Sequence, residues 1–152
     1  MASTARHHLR LRHAGVLPRR PSHPRPNGRL PGPRPHLPDT TTDYFTDDTN
    51  SIFQNEINAL AESGITTGCT PTTYCPADNV TRGQMAAFLA RAFNLPDTTN
   101  DYFTDDTNSI FQGDINQLAE SAITSGCTPT TYCPADNVTR GQMAAFLKRA
   151  LD

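Results

Sequence analysis

The sequence predicts a mainly α fold: two tandem helix–loop–helix repeats, each long loop closed by a local disulfide, behind a disordered N-terminal tail. Three observations carry this. From Pro38 onward the chain is one module written twice at an offset of 58 residues, and 48 of the 57 aligned pairs are identical. In each copy, apolar residues recur at helical spacing on either side of a stretch without that period. Two cysteines frame that stretch each time, Cys69 with Cys75 and Cys127 with Cys133. A tandem array of this kind is usually a structural or binding device, because a catalytic centre rarely needs duplication in line. So recent a duplication leaves every residue alike and marks none as functional.

Charge divides the chain sharply. Residues 1–37 hold 8 of the 13 basic residues, all 5 histidines and no acid, whereas residues 38–152 hold all 15 acids. The first piece is rich in proline and poor in large apolar side chains. It cannot bury enough surface to offset its ordering entropy, so it is expected to be disordered. No apolar stretch follows its first arginines, so no secretory signal is visible, and nothing is long enough to span a membrane. The abrupt change at Pro38 leads us to expect a mis-called start or a fragment boundary. A basic arm for nucleic acid or an anionic surface, and a plain linker, are the alternatives. The expected organisation is a tail at 1–37, a first repeat at 38–95 and a second at 96–152.

The first helix of each copy is read from Phe53, Ile57, Leu60, Ala61 and Gly64, with Ile52 beside them. Thr49, Asn50 and Ser51 are its cap candidates. Gly64 is a plausible terminator, since glycine tolerates the left-handed backbone that often ends a helix. The second copy has Ala122 there, so that helix must end differently or under mild strain. A loop of about 17 residues follows, in which Ile65 is expected to pair as a short strand. So long a loop in so small a module should be tied down or functional.

The second helix has the stronger start. Thr81 and Gln84 match a capping box, with Val80 placed to staple onto Met85. Met85, Phe88, Leu89, Ala92 and Phe93 then form one apolar stripe, repeated as Met143, Phe146, Leu147, Ala150 and Leu151. Such stripes are core rather than ligand boxes. Each module therefore needs a neighbour to cover it. The two copies should pack together, leave an open face, and either self-associate or take up a third repeat.

The tie for the loop is the C-x5-C pair. A disulfide closing it contributes roughly 2–2.5 kcal/mol on the chain-entropy account. It also implies an oxidising compartment, hence export. Zinc needs four ligands, and this spacing is not the usual knuckle; free thiols are the remaining alternative. Disulfides Cys69–Cys75 and Cys127–Cys133 are the expectation, with no metal.

Several motifs then occur in order. They are Phe45-Thr46-Asp47, Ile57-Asn58-Ala59-Leu60, Gly64-Ile65-Thr66-Thr67-Gly68, Tyr74-Cys75-Pro76, and Val80-Thr81-Arg82-Gly83-Gln84-Met85 with its apolar continuation. This set resembles the S-layer homology (SLH) repeat, in a cysteine-containing variant, over residues 38–152. The resemblance implies a non-catalytic module that anchors proteins to the bacterial cell surface. Its repeats typically come in threes, and the grooves between them hold an anionic cell-wall polysaccharide, often capped by a pyruvylated sugar. It implies glycan-binding roles for Arg82 and Arg140, Asp47 and Asp105, and Gly68 and Gly126. It places the protein outside the cell, at the wall. Two departures stand out: the family's Thr-Arg-Ala-Glu is here Thr-Arg-Gly-Gln, and only two repeats are present.

The residues themselves allow that role. Arg82 stands at a helix start, where N–H groups and the dipole favour anions, and a guanidinium holds a carboxylate with two parallel bonds. The competing reading pairs Arg82 with Asp47 or Asp78 as a structural link. Asp47 and Asp48 sit near a helix start, and capping is their expected job. Asp47, Asp48 and Asn50 do not complete a calcium loop. Tyr44, Tyr74, Tyr102 and Tyr132 could stack on sugar rings or simply cover the loops. The repeats contain no histidine and no cysteine has a base partner, so no catalytic set and no cofactor are expected. An assembly repeat without a glycan ligand is the rival reading. Nucleic-acid binding through the tail is the third, and no nucleic-acid partner is expected for the repeats.

Overall fold

A computed structural model of the protein describes residues 36–152, so the expectation for the tail falls almost wholly outside the described residues. Four helices run in order: α1 (Gln54–Glu62), α2 (Arg82–Ala92), α3 (Gln112–Glu120) and α4 (Arg140–Leu151). Each repeat is a helix, a long loop and a helix. Two isolated bridges, Thr70 with Thr73 and Thr81 with Asn137, are the only β pairing among the described residues. None of these helices is long and apolar enough to cross a membrane.

The helix ends follow the sequence closely. Thr81 and Gln84 form a complete capping box, as do Thr139 and Gln142. At the end of α1, Gly64 N–H bonds to the Ala61 carbonyl and Ile65 N–H to the Leu60 carbonyl, at 2.9 and 3.0 Å. This is the double closure made when the residue after the cap turns left-handed, and Gly64 has φ +69°. α3 ends the same way, with Ile123 N–H on the Leu118 carbonyl at 2.9 Å. Ala122 is there forced to φ +57°.

Two expectations are corrected. Ile65 forms no strand, because its N–H is spent closing α1. Nor does any of Thr49, Asn50 and Ser51 cap α1 directly: the N-cap is Phe53, with no side-chain bond to the helix. Two successive turns, Ser51 N–H to Asp48 O and Gln54 N–H to Ser51 O, lead the chain in. Ser51 Oγ accepts the Phe53 N–H.

The core lies across the junction between the copies. Met85, Ala86, Leu89 and Ala90 of α2 cluster with Phe103, Ile115, Leu118, Ile123, Tyr132 and Phe146 of the second repeat. α2 packs on α3. Covered from several sides, α2 buries far more than the single stripe, including Gly83 and Arg82. α4 buries only Phe146. Met143, Leu147 and Leu151 remain 36%, 41% and 52% exposed. The expected open face is therefore the outer side of α4.

Each loop is tied at several points. The disulfides are Cys69–Cys75 and Cys127–Cys133, with Cα–Cα separations of 6.1 and 6.2 Å. Buried Asn58 accepts the Tyr44 N–H, and Asn116 accepts that of Tyr102, each at 3.1 Å. Phe45 packs on Tyr74 and Phe103 on Tyr132, with ring centroids 5.5 Å apart.

Candidate functional site at the seam between the repeats

The start of α2 is where the two repeats meet. Its first N–H groups do not face solvent. Arg82 N–H bonds to the Asp136 carbonyl at 2.8 Å and Gly83 N–H to the Pro134 carbonyl at 2.9 Å. Val138 N–H returns a bond to the Val80 carbonyl at 2.9 Å. The loop of the second repeat thus satisfies donors that a free helix start leaves open.

Arg82 is 4% exposed. Its Nε donates to the Tyr132 carbonyl at 2.8 Å, and the Tyr132 hydroxyl donates to the Arg82 carbonyl at 3.0 Å. Its guanidinium carbon lies 4.6 Å over the Tyr132 ring and 5.5 Å from that of Phe146. The pairing with Asp47 or Asp78 weighed above is therefore replaced by a carbonyl and two rings, all in the second repeat. One nitrogen, Nη2, is buried without a hydrogen-bond partner. Such an atom in a buried cation calls for an explanation. Burial pushes the Tyr132 hydroxyl up to about 12, with Arg82 opposing. Arg140, in the matching position of α4, is exposed.

The aspartates depart from the expected capping role. Asp47 Oδ1 and Oδ2 accept the N–H groups of Tyr74 and Cys75, both at 2.8 Å. Asp105 does the same for Tyr132 and Cys133 at 2.7 Å. The carboxylate is a clamp across the long loop, and the Tyr74 N–H, ahead of the Cys75 N–H, holds Asp47 below the usual carboxylate range. Its neighbour Asp48 behaves oppositely. Asp48 and Asp106 are 0% exposed and their carboxyl oxygens have no partner. Burial raises both, helped by the nearby charges of Asp43 and Asp101.

Gly68 and Gly126 adopt φ +75° and +79°. A Cβ on Gly68 would lie 2.4 Å from the Thr73 carbonyl oxygen and 2.5 Å from the Phe45 ring. The close turn therefore demands glycine. Gly68 also lines a groove of about 460 Å³ at the seam. One wall is the loop of the first repeat, from Thr66 to Cys69 and again around Tyr74 and Asp78. Gln84, Ala87, Phe88 and Arg91 of α2 form the floor, and Ile110 and Phe111 of the second repeat close the far side. A second hollow of about 400 Å³ lies beside Asp47, Phe53 and Pro76, wholly within the first repeat.

Of the six residues given glycan-binding roles by the resemblance, only Gly68 lines the seam groove, together with Cys69, Cys75, Tyr74 and Asp78 of the same loop. Arg82 joins the repeats away from it, on Tyr132 and the loop of the second repeat, Asp47 braces its wall, and Arg140, Asp105 and Gly126 belong to the second repeat. Sequence reasoning missed Arg91. Its Nη1 donates to the Ile65 carbonyl at 3.3 Å, and it partly offsets the burial that raises Asp114 on α3. Nothing in a pair of near-identical copies distinguishes it from Arg149.

Interlocked helical repeats with a groove at their seam define a tandem-repeat module. Residues 44–86 and 102–144 each match the S-layer homology domain. The two segments cover more than half of the chain, which belongs to the S-layer homology domain family, a family of non-catalytic cell-surface anchoring modules. The chain is also similar to an endoglucanase of Bacillus sp. (strain KSM-635), 35% identical over 96 residues, which is 63% of this chain. It spans 10% of that relative's length.

Proposed function

We propose that the chain anchors a protein to the bacterial cell wall, outside the cell, by holding an anionic wall polysaccharide at the seam between its repeats. The observation that supports this most is the seam groove of about 460 Å³, whose floor carries the guanidinium of Arg91 beside Gln84. A carboxylate, such as a pyruvyl ketal presents, satisfies guanidinium donors with paired, charge-assisted bonds. The loop at Gly68 and the Gln84 side chain would take neighbouring hydroxyls. Arg140 is assigned the same role in a seam that forms only when another repeat packs on α4. The similarity to an endoglucanase fits a module that displays an enzyme, and no reaction is assigned to this chain.

Co-sedimentation with isolated bacterial walls tests the assignment. Arg91→Gln and Arg82→Lys should each weaken binding by about tenfold or more, the loss expected when one charge-assisted contact goes. Thermal melts run alongside separate binding from folding. If both variants fold and bind walls as the parent does, the glycan lies elsewhere. The rival reading, an assembly repeat without a glycan, draws on the exposed apolar residues of α4. It expects association in solution and no retention on walls.

A further inference from the structure

We propose that the outer end of the second repeat docks onto the outer end of the first repeat of another copy of this chain. The contact repeats the junction that already joins the two repeats within one chain.

That junction has two halves. One is the start of α2, where Arg82 meets Tyr132 and the N–H groups of Arg82 and Gly83 meet the carbonyls of Asp136 and Pro134. The Phe111 ring lies so close that a Cβ on Gly83 would come within 2.5 Å of it. The other half is the second repeat's own Phe111, Tyr132 and the loop that follows.

Both halves recur in unmated form. α4 begins with the same Thr139-Arg140-Gly141-Gln142, yet Arg140 is exposed. Among the described residues the N–H groups of Arg140 and Gly141 reach no backbone acceptor. A Cβ on Gly141 would meet nothing nearer than Thr139 Oγ1 at 4.0 Å. At the opposite end of the chain, Phe53 is 58% exposed where Phe111 packs against the core. Tyr74 is only half-buried where Tyr132 is fully buried, and Pro76 is exposed where Pro134 is partly covered.

The partner's chemistry is set by the junction itself. It must carry a phenylalanine for the glycine, a tyrosine for the arginine, and a loop with carbonyls at the spacing of Pro134 and Asp136. The first repeat of this chain supplies that set as Phe53, Tyr74, Pro76 and Asp78. None of the 9 differences between the copies falls on these four residues or on Thr139 to Gln142, and two, Lys148 for Ala90 and Leu151 for Phe93, fall on the part of the helix that packs in the shared core. Charge also fits. α4 presents Arg140 and Arg149, with Lys148 paired to Asp152, and the first repeat carries Asp43, Glu56 and Glu62. One change weakens the contact relative to the internal one. Lys148 stands where α2 has Ala90, which is buried in the shared core, so on docking its stem must lie along the contact with the ammonium reaching out to solvent. The association is therefore reversible and falls with salt. It is head-to-tail, so each added copy leaves one end of each kind unless the ring closes.

Sedimentation equilibrium of the full chain across the micromolar to near-millimolar range tests this with two surface variants. Gly141→Glu blocks the α4 end and places an acid favourably in a first helical turn. Phe53→Asp blocks the other end at an exposed helix cap. The parent should rise above its 16.6 kDa chain mass with concentration. Each variant alone should stay at one chain mass. Their equimolar mixture should form a pair and nothing larger, since each supplies the end that the other lacks. A parent that stays monomeric, a variant that associates alone as the parent does, or a mixture that stays monomeric would each overturn the proposal. The first of these outcomes would leave the α4 end to a repeat on a different protein.

Discussion

Arg82 and Tyr132 hold each other through two reciprocal bonds. The arginine Nε donates to the tyrosine carbonyl, and the tyrosine hydroxyl donates to the arginine carbonyl, at 2.8 and 3.0 Å. Fifty residues separate them. The pair sits on the core that both repeats share. The same two letters, as Arg140 and Tyr74, have no such arrangement.

Identical residues should therefore respond differently to the same change. Arg82→Ala strips a buried carbonyl of its donor and the Tyr132 ring of its cover, and should cost about 2–3 kcal/mol. Arg140→Ala at the surface should stay within about 0.5 kcal/mol. Urea denaturation at low protein concentration, where association does not contribute, measures both. Equal losses at the two positions would contradict the junction described here.

Adjacent aspartates should show opposite pH signatures. Asp47 has a lowered value in the folded state. Its contribution is present above the usual aspartate value of about 4 and lost as pH falls through the lower folded value. Asp47→Ala should therefore destabilise at pH 7 and approach the parent in acid. Asp48 is raised by burial. Folding then favours its protonated form, so its stability is fullest below about pH 4 and lost as pH rises through the folded value. Asp48→Asn should stabilise at neutral pH, with the gain shrinking in acid. Urea midpoints at a neutral and an acidic pH decide each sign.

Ala122→Gly should stabilise by about 0.5–1 kcal/mol, because a left-handed alanine is replaced by the residue that tolerates that backbone. Gly64→Ala should cost a similar amount. Nothing lies within 4 Å of a Cβ built at Gly64, so its effect isolates backbone strain from packing. Thermal melts of the two single variants and the swapped pair would reveal any departure from this symmetry.

Removing one loop disulfide, as Cys69→Ser with Cys75→Ser, should cost roughly 2–2.5 kcal/mol on the chain-entropy account. The Asp47 clamp and the Cys69 N–H bond to the Thr73 carbonyl stay in place. The loop should therefore loosen rather than unfold outright. Amide exchange through residues 69–75 and non-reducing peptide mapping check the effect and the pairing together.

Much of this protein was legible in its letters. The repeat, the capping boxes at Thr81 and Thr139, the strained end at Ala122 and the local cysteine pairing all depend on residues within a few positions of each other. Local chemistry fixes such features wherever the segment lies. Ile65 and Ser51 were misread for the same reason in reverse. Each spends its polar group on an adjacent turn that competes with the element that its side chain suggests.

The sequence by itself determined the four helices, the capped starts of α2 and α4, the loop closures and the family. Only the tertiary structure decided what the copies do to each other. It buried Arg82 and left Arg140 in solvent, turned Asp47 into a loop clamp, and brought Arg91 to the floor of the seam groove. Burial and partnership are properties of neighbours in space. Two residues with the same letter and the same local sequence differ once a second repeat packs on one of them and nothing in the chain packs on the other.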